Sequence, residues 1–300
     1  MQPRSLIATV LAAASLLVAC GSKQENSAAP TSAPAQVVAK DDALAAKVPP
    51  AIASTGKLRV GSNIQNPPNN FYDKDGRTPM GSEVDLANAI AGKLGLKTDY
   101  SDMAFSSLIT SLQSGRIDIT MAAMNDTAER QQKIDFVDYF TSGITIMVQK
   151  GNPSGVKGPD DLCGKSVAVN LGTSQEAFAK EQSGKCTAAG KGEVTLTVTD
   201  NDTGNQTQLR TGRVAAILND LPTAVYLAKT AGDGKYFEVV PGAPINGGPY
   251  GIGVNKDNAQ LRDAIAAALQ ALIDDGTYGK IMKNWDVEQG AIKKATVNGK

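Results

Sequence analysis

The sequence predicts an α/β fold divided into two lobes. Strand-like and helix-like patterns alternate from Lys57 onward, which argues for layered α/β structure. A second alternating series starts after the break at Gly151-Asn152-Pro153. At 300 residues the chain is long enough for two domains of ordinary size. Gly/Pro-rich breaks near residues 151 and 245 are candidate crossings between the lobes. Two crossings make the first lobe discontinuous, residues 57–150 with 249–290, around a second lobe of residues 151–248. A cleft then lies between the two.

The elements follow in order. Lys57 to Gly61 is a short strand, and Asp73-Lys74-Asp75-Gly76 reads as a hairpin turn. It resembles a calcium loop only faintly, since later ligands are not at the required spacing. Leu86, Ile90 and Leu94 recur every four residues, which predicts a helix that Gly95 stops. A strand at Thr98 to Tyr100, a helix through Leu108 and Leu112, and a buried strand at Ile117 to Met121 follow. Ile144 to Gln149 is the next strand. In the second series, strands are expected at Ser166 to Val169, Val194 to Thr199, Val214 to Leu218 and Tyr236 to Val240. Helices are expected from about Ser174, around Gln206 to Leu209, and after Asn219-Asp220-Leu221-Pro222. Thr173 and Glu176 have capping-box spacing. Tyr250 to Val254 is a strand, Leu261, Ile265, Leu269 and Leu272 share one helix face, and a short helix runs from Tyr278 to Trp285. Residues 291–300 are expected to be a tail.

The N-terminus is read as export machinery. Arg4, an apolar run from Leu6 to Ala19 and small residues before Cys20 have the form of a secretory signal, too short for a membrane span. Leu17-Val18-Ala19-Cys20-Gly21-Ser22 resembles a bacterial lipobox. By that resemblance residues 1–19 are removed, Cys20 carries lipid, and residues 20–56 form a flexible tether, anchored rather than spanning. The alternative is an ordinary signal cut elsewhere. In an exported chain the remaining pair, Cys163 and Cys186, is expected to form a disulfide.

Composition excludes several functions. Lys+Arg 30 balances Asp+Glu 30, so no basic excess marks a nucleic-acid partner. The chain has no histidine, which removes Ser-His-Asp and Cys-His catalysis and every histidine metal site. No metal or cofactor is expected.

The stretch Ala122 to Arg130 carries the chemistry. A buried strand opens into small polar residues and then an arginine. Backbone N–H groups and a planar guanidinium fork suit a carboxylate ligand. Alternatively, Arg130 is a solvated charge at the start of a short helix, beside Glu129 and Lys133.

Motif order along the chain resembles that of family-3 solute-binding lipoproteins of amino-acid ABC transporters. The matching segments are Leu58-Arg59-Val60-Gly61, Pro67-Pro68, Gly81 to Ala87, Leu112 to Asp118, Thr127 to Arg130, Ile134-Asp135-Phe136, Leu171 to Ser174 and Asp275 to Tyr278. The resemblance covers about residues 57–288. It implies a periplasmic-binding-protein-like fold of type II, no catalysis, and a membrane ABC permease as partner at the extracytoplasmic face; the expected state is a monomer. It also implies that Arg130 binds the ligand carboxylate, assisted at Ala123 and Asn125 and by the helix start at Thr173, Ser174 and Gln175. Free N–H groups and the dipole at that helix start favour an anion. The resemblance sets Asp220 against the ligand ammonium; the alternative is a cap before Pro222.

The side-chain pocket departs from the pattern. The family often has aromatics at the positions of Asn66 and Asn69 and an acid at Asn63. Phe105 matches an apolar platform. Glu83 stands where some basic-amino-acid binders have an inward acid, although an acid at a helix start is also favoured by the dipole. The expected ligand is therefore a polar or basic amino acid. Two rivals use the same fold: a secreted dehydratase acting on an aromatic amino-acid precursor, with Glu83 as proton donor, and a sensor that presents its ligand to a receptor.

Overall fold

The structure, a computed structural model, describes residues 38–299. Cys20 and the expected leader lie outside the described residues. Order begins well before Lys57. Two short helices, α1 (Asp42–Ala45) and α2 (Pro50–Ala53), occupy part of the stretch expected to be a flexible tether. The Asp41 carboxylate caps α1, accepting from the N–H groups of Ala43 and Leu44 at 2.9 and 3.0 Å. Leu44, Val48 and Ile52 enter the core of the first lobe. A reading of average composition over residues 21–50 hides these spaced apolar positions.

The first lobe continues with β1 (Lys57–Ser62), the hairpin β2 (Phe71–Tyr72) and β3 (Pro79–Met80), α3 (Ser82–Lys93), β4 (Lys97–Asp102), α4 (Leu108–Gln113), β5 (Ile119–Thr120) and α5 (Ala128–Gln131). The hairpin turns at Asp73 to Gly76, where the Asp75 carboxylate accepts from the N–H groups of Arg77 and Thr78. The long strand β6 (Ile134–Gln149) follows. The second lobe holds β7 (Ser166–Asn170), α6 (Ser174–Ala188), β8 (Thr195–Thr199), α7 (Asp202–Arg210), β9 (Ala216–Asp220), α8 (Leu221–Thr230) and β10 (Phe237–Val239). The chain returns through β11 (Ile245–Asn255), then α9 (Ala259–Asp274), α10 (Thr277–Asn284) and β12 (Ala291–Val297).

Strand order is β4-β1-β5-β11-β6-β9-β7-β8, with β10 and β12 also paired to β6. The strands β4, β1 and β5 run parallel, as do β8, β7 and β9. The first part of β6 pairs with β11, and its last part with β9 and β10. The first crossing between lobes therefore lies inside β6, near Thr141 to Ile144, and Gly151 only ends the strand. Gly143 is required there: a Cβ would stand 2.8 Å from Pro244 Cβ and 2.9 Å from the Ile245 carbonyl oxygen. The two crossing segments touch at that point.

Each lobe has its own core. Leu261, Ile265, Leu269 and Leu272 of α9 are fully buried in the first, on the face their spacing predicts. Val167, Val169, Phe178 and Leu218 pack in the second. Cys163 and Cys186 form the expected disulfide, joining the turn before β7 to α6. Residues 291–297, expected to be part of a tail, are the strand β12. The Thr296 hydroxyl and the Gly299 N–H both donate to Asp138 Oδ2 at 2.9 Å. Lys293 and Lys294 interrupt the apolar alternation, which is why the strand does not read from sequence. Among the described residues no helix is long and apolar enough to cross a membrane.

Candidate functional site

Parallel strands in both lobes point their carboxyl ends at one cleft. Asn63 follows β1, Ala123 and Asn125 follow β5, Thr173 follows β7, Asp202 follows β8, and Asp220 ends β9. Ligands of open α/β sheets bind at such carboxyl ends. The cleft encloses about 590 Å³ of empty space, the part open to solvent included. Asn63, Asn66, Phe105, Ala123 and Asn125 line it from the first lobe, and Thr173, Ser174, Gln175 and Asp220 from the second. Gln65, Asn170, Asp202, Asn205 and Asn219 line it too, although sequence reasoning did not nominate them.

Arg130 stands at the edge of this cleft. Thr127 caps the short helix α5, accepting from the Arg130 N–H at 3.3 Å, and so orients the side chain. The guanidinium lies over the Phe105 ring, 5.4 Å from its centroid. One nitrogen donates to the Asn125 carbonyl at 2.9 Å, the other to the Gly172 carbonyl of the opposite lobe at 3.1 Å. Among the described residues no carboxylate forms an ion pair with it. Burial lowers its pKa, partly offset by the charges of Glu129, Asp220 and Asp126. An arginine remains cationic under such a shift, so a positive charge stands beside Phe105 and Asn125, which line the cleft, although Arg130 itself is not among the lining residues. Ala123 adopts a left-handed φ of 48°, an uncommon conformation for a residue with a Cβ.

The start of α6 faces Arg130 across the gap. Thr173 and Glu176 form the expected capping box: the Thr173 hydroxyl accepts from the Glu176 N–H at 3.2 Å, and the Glu176 carboxylate accepts from the Gly172 N–H at 2.7 Å. Capping leaves the N–H groups of Ser174 and Gln175 without a described acceptor, at the positive end of the helix. The Ser174 hydroxyl donates to Asn125 Oδ1 at 2.7 Å, and the Thr223 hydroxyl donates to Asn66 Oδ1 at 2.6 Å. Both bonds join the lobes.

Acidic charge gathers on the second lobe. Asp220 is 6% exposed, and its Oδ1 meets no partner in hydrogen-bond geometry. Burial pushes Asp220 up to about 7, although Tyr250, Gln175 and the Arg130 charge pull the other way. Asp202 is equally buried, and burial pushes it up to about 6.

Glu83 does not face the cleft. Its Oε1 accepts from the Ala123 N–H at 2.7 Å and from the Tyr139 hydroxyl, and its Oε2 accepts from the Asn70 amide. It lies beneath the loop that carries Ala123 and braces it. Glu83 does lie on the first turn of α3, as expected, but that turn packs inward under the loop. A carboxylate holding three donors in a buried site is a scaffold for its neighbours.

The sequence of residues 58–288 matches the model of bacterial extracellular solute-binding proteins, family 3. The chain belongs to this family. Its relatives among family-3 solute-binding proteins include the arginine-binding protein of Corynebacterium glutamicum, 34% identical over 254 residues, which span 84% of this chain and 82% of the relative. The L-cystine-binding protein of Escherichia coli is 32% identical over 235 residues, spanning 78% and 84%. Among solved structures, an ancestral arginine-binding protein bound to arginine is 38% identical, with a TM-score of 0.70, covering 77% of this chain and 98% of that one. These relatives are named as binding proteins, not as enzymes.

Proposed function

We propose that this family-3 solute-binding protein captures a polar or basic L-amino acid in the interlobe cleft and delivers it to an ABC permease. One observation carries the reading: the Arg130 guanidinium, half-buried over Phe105 at the edge of the cleft, and the Asp220 carboxyl, buried in the cleft's second-lobe wall, bring opposite charges to one site from the two lobes. An α-amino acid carries both complementary charges. Its carboxylate meets the guanidinium and the N–H groups at the start of α6, and its ammonium meets Asp220. Asn63, Asn66, Phe105, Ala123, Asn125, Thr173, Ser174 and Gln175 form the surrounding wall.

Closure follows from the same contacts. A ligand bonded to both lobes stabilises the form in which they touch, because only differential contacts shift such an equilibrium. The closed form then docks to the permease. The lipobox-like segment supports anchoring through lipid on Cys20 at the extracytoplasmic membrane face, with the described domains acting as a monomer. The dehydratase alternative loses its named proton donor, since Glu83 is occupied beneath the loop. A thermal-shift screen of the protein against the common amino acids tests the reading. A ligand that binds only the folded state raises the melting temperature. The absence of a rise with every amino acid would overturn it.

A further inference from the structure

We propose that Asp202, on the first turn of α7, reads a positive charge at the far end of the ligand side chain and so selects cationic amino acids. The inference rests on the amino-acid reading above and assigns the selectivity of that same cleft.

Asp202 lines the cleft and is 6% exposed. Its Oδ2 accepts from the Gln206 amide at 2.9 Å, and Oδ1 accepts from no described residue. Its own N–H donates to Gln65 Oε1 of the first lobe at 3.3 Å, so the carboxylate sits where the lobes meet. Among the described residues no lysine or arginine pairs with it. The neighbouring Asn205 is already spent, donating to Asn170 Oδ1 at 2.8 Å and accepting from the Thr199 hydroxyl at 2.9 Å. Asp202 is thus the anionic acceptor left on this wall.

The sheet sets its place along the cleft. Strand order is β9-β7-β8, so the end of β8, just before Asp202, lies two strands from Asp220 at the end of β9, about 10 Å at the usual strand spacing. Asp220 and Asp202 therefore stand at separate points of the second-lobe wall. An amino acid with a neutral side chain would satisfy Arg130 and Asp220 and leave Asp202 a buried, unpaired carboxylate. A lysine-, ornithine- or arginine-like side chain brings the missing charge, and all three site charges are then matched.

Calorimetric titration with L-arginine and with L-citrulline tests the assignment, because citrulline keeps the shape and replaces the guanidinium with a neutral urea. The wild-type protein should bind arginine about thirty- to a hundredfold more tightly than citrulline, the range expected for a desolvated charge pair. Asp202→Asn should weaken arginine by about the same factor and leave citrulline within about threefold. Equal affinity of the wild-type protein for both ligands would overturn the proposal, as would an equal loss of both in the variant. Tight binding of glutamine with rejection of arginine would overturn it while leaving the amino-acid reading intact. Failure to bind any α-amino acid would remove that reading and the proposal with it.

Discussion

Binding of a cationic amino acid should release protons, and its affinity should rise between pH 6 and pH 8. In the ligand-free cleft, burial holds Asp220 near 7 and Asp202 near 6. A bound ammonium and guanidinium favour the carboxylates, so both values fall on binding. Below the free-state value the protein must first lose the proton, which costs affinity. At pH 6 Asp220 is about nine-tenths protonated, and ionising it weakens binding about tenfold relative to pH 8. Asp202 is about half protonated at pH 6 and adds about another factor of two. The combined change is about twentyfold, with the steepest part near pH 7 set by Asp220. L-Arginine itself keeps the same charge across this range. Titration calorimetry at pH 6, 7 and 8, in buffers of different ionisation heat, measures both the affinity and the protons released. Equal affinities at pH 6 and pH 8, with heats independent of buffer, would refute the assignment of these two buried acids to the ligand cations.

Further outcomes follow from other contacts. Arg130→Ala should weaken amino-acid binding by at least about a hundredfold, the scale for removing one partner of a buried charge pair. Arg59→Ala should leave affinity unchanged by the same calorimetry, because Arg59 is committed to Asp118 and to the Gly115 and Arg116 carbonyls. Replacing Cys163 and Cys186 by serine opens a loop with a sequence separation of 23 residues. The loss should be about 3 kcal/mol in the denaturant midpoint analysis. Truncation after Gly290 removes the donors of Thr296 and Gly299 from Asp138, which is 2% exposed. It should cost about 3 kcal/mol or more by the same analysis, whereas a dispensable tail would cost nothing.

The parts of this protein that read from sequence are those with a local rule behind them. Alternating strands and helices, the Leu261-to-Leu272 stripe and the Thr173 to Glu176 box all follow from periodicity or capping. Arg130 and Asp220 are legible because a strand end that opens into polar residues, placed in a family motif, is a recognisable signal. Asp202 carries no such signal. After the Asn201 cap it looks like any acid on the first turn of a helix. Only the fold shows that this turn faces the first lobe. Glu83 presents the same local pattern with the opposite outcome, since α3 turns it under the Ala123 loop. Ser142 and Gly143 look like an interruption in sequence, yet β6 runs through them. The glycine is there for the close approach of Pro244 and Ile245, a contact made by residues about a hundred positions later.

The central claim is that one ligand is held by its carboxylate at Arg130 and by its ammonium at Asp220. Calorimetric titration of three compounds tests it most directly: L-arginine, its decarboxylated form agmatine, and its deaminated form 5-guanidinovalerate. Binding of L-arginine with a loss of at least about a hundredfold for each analogue is the predicted result, since each leaves one buried charge without its partner. Binding of either analogue as tightly as the amino acid itself would contradict it.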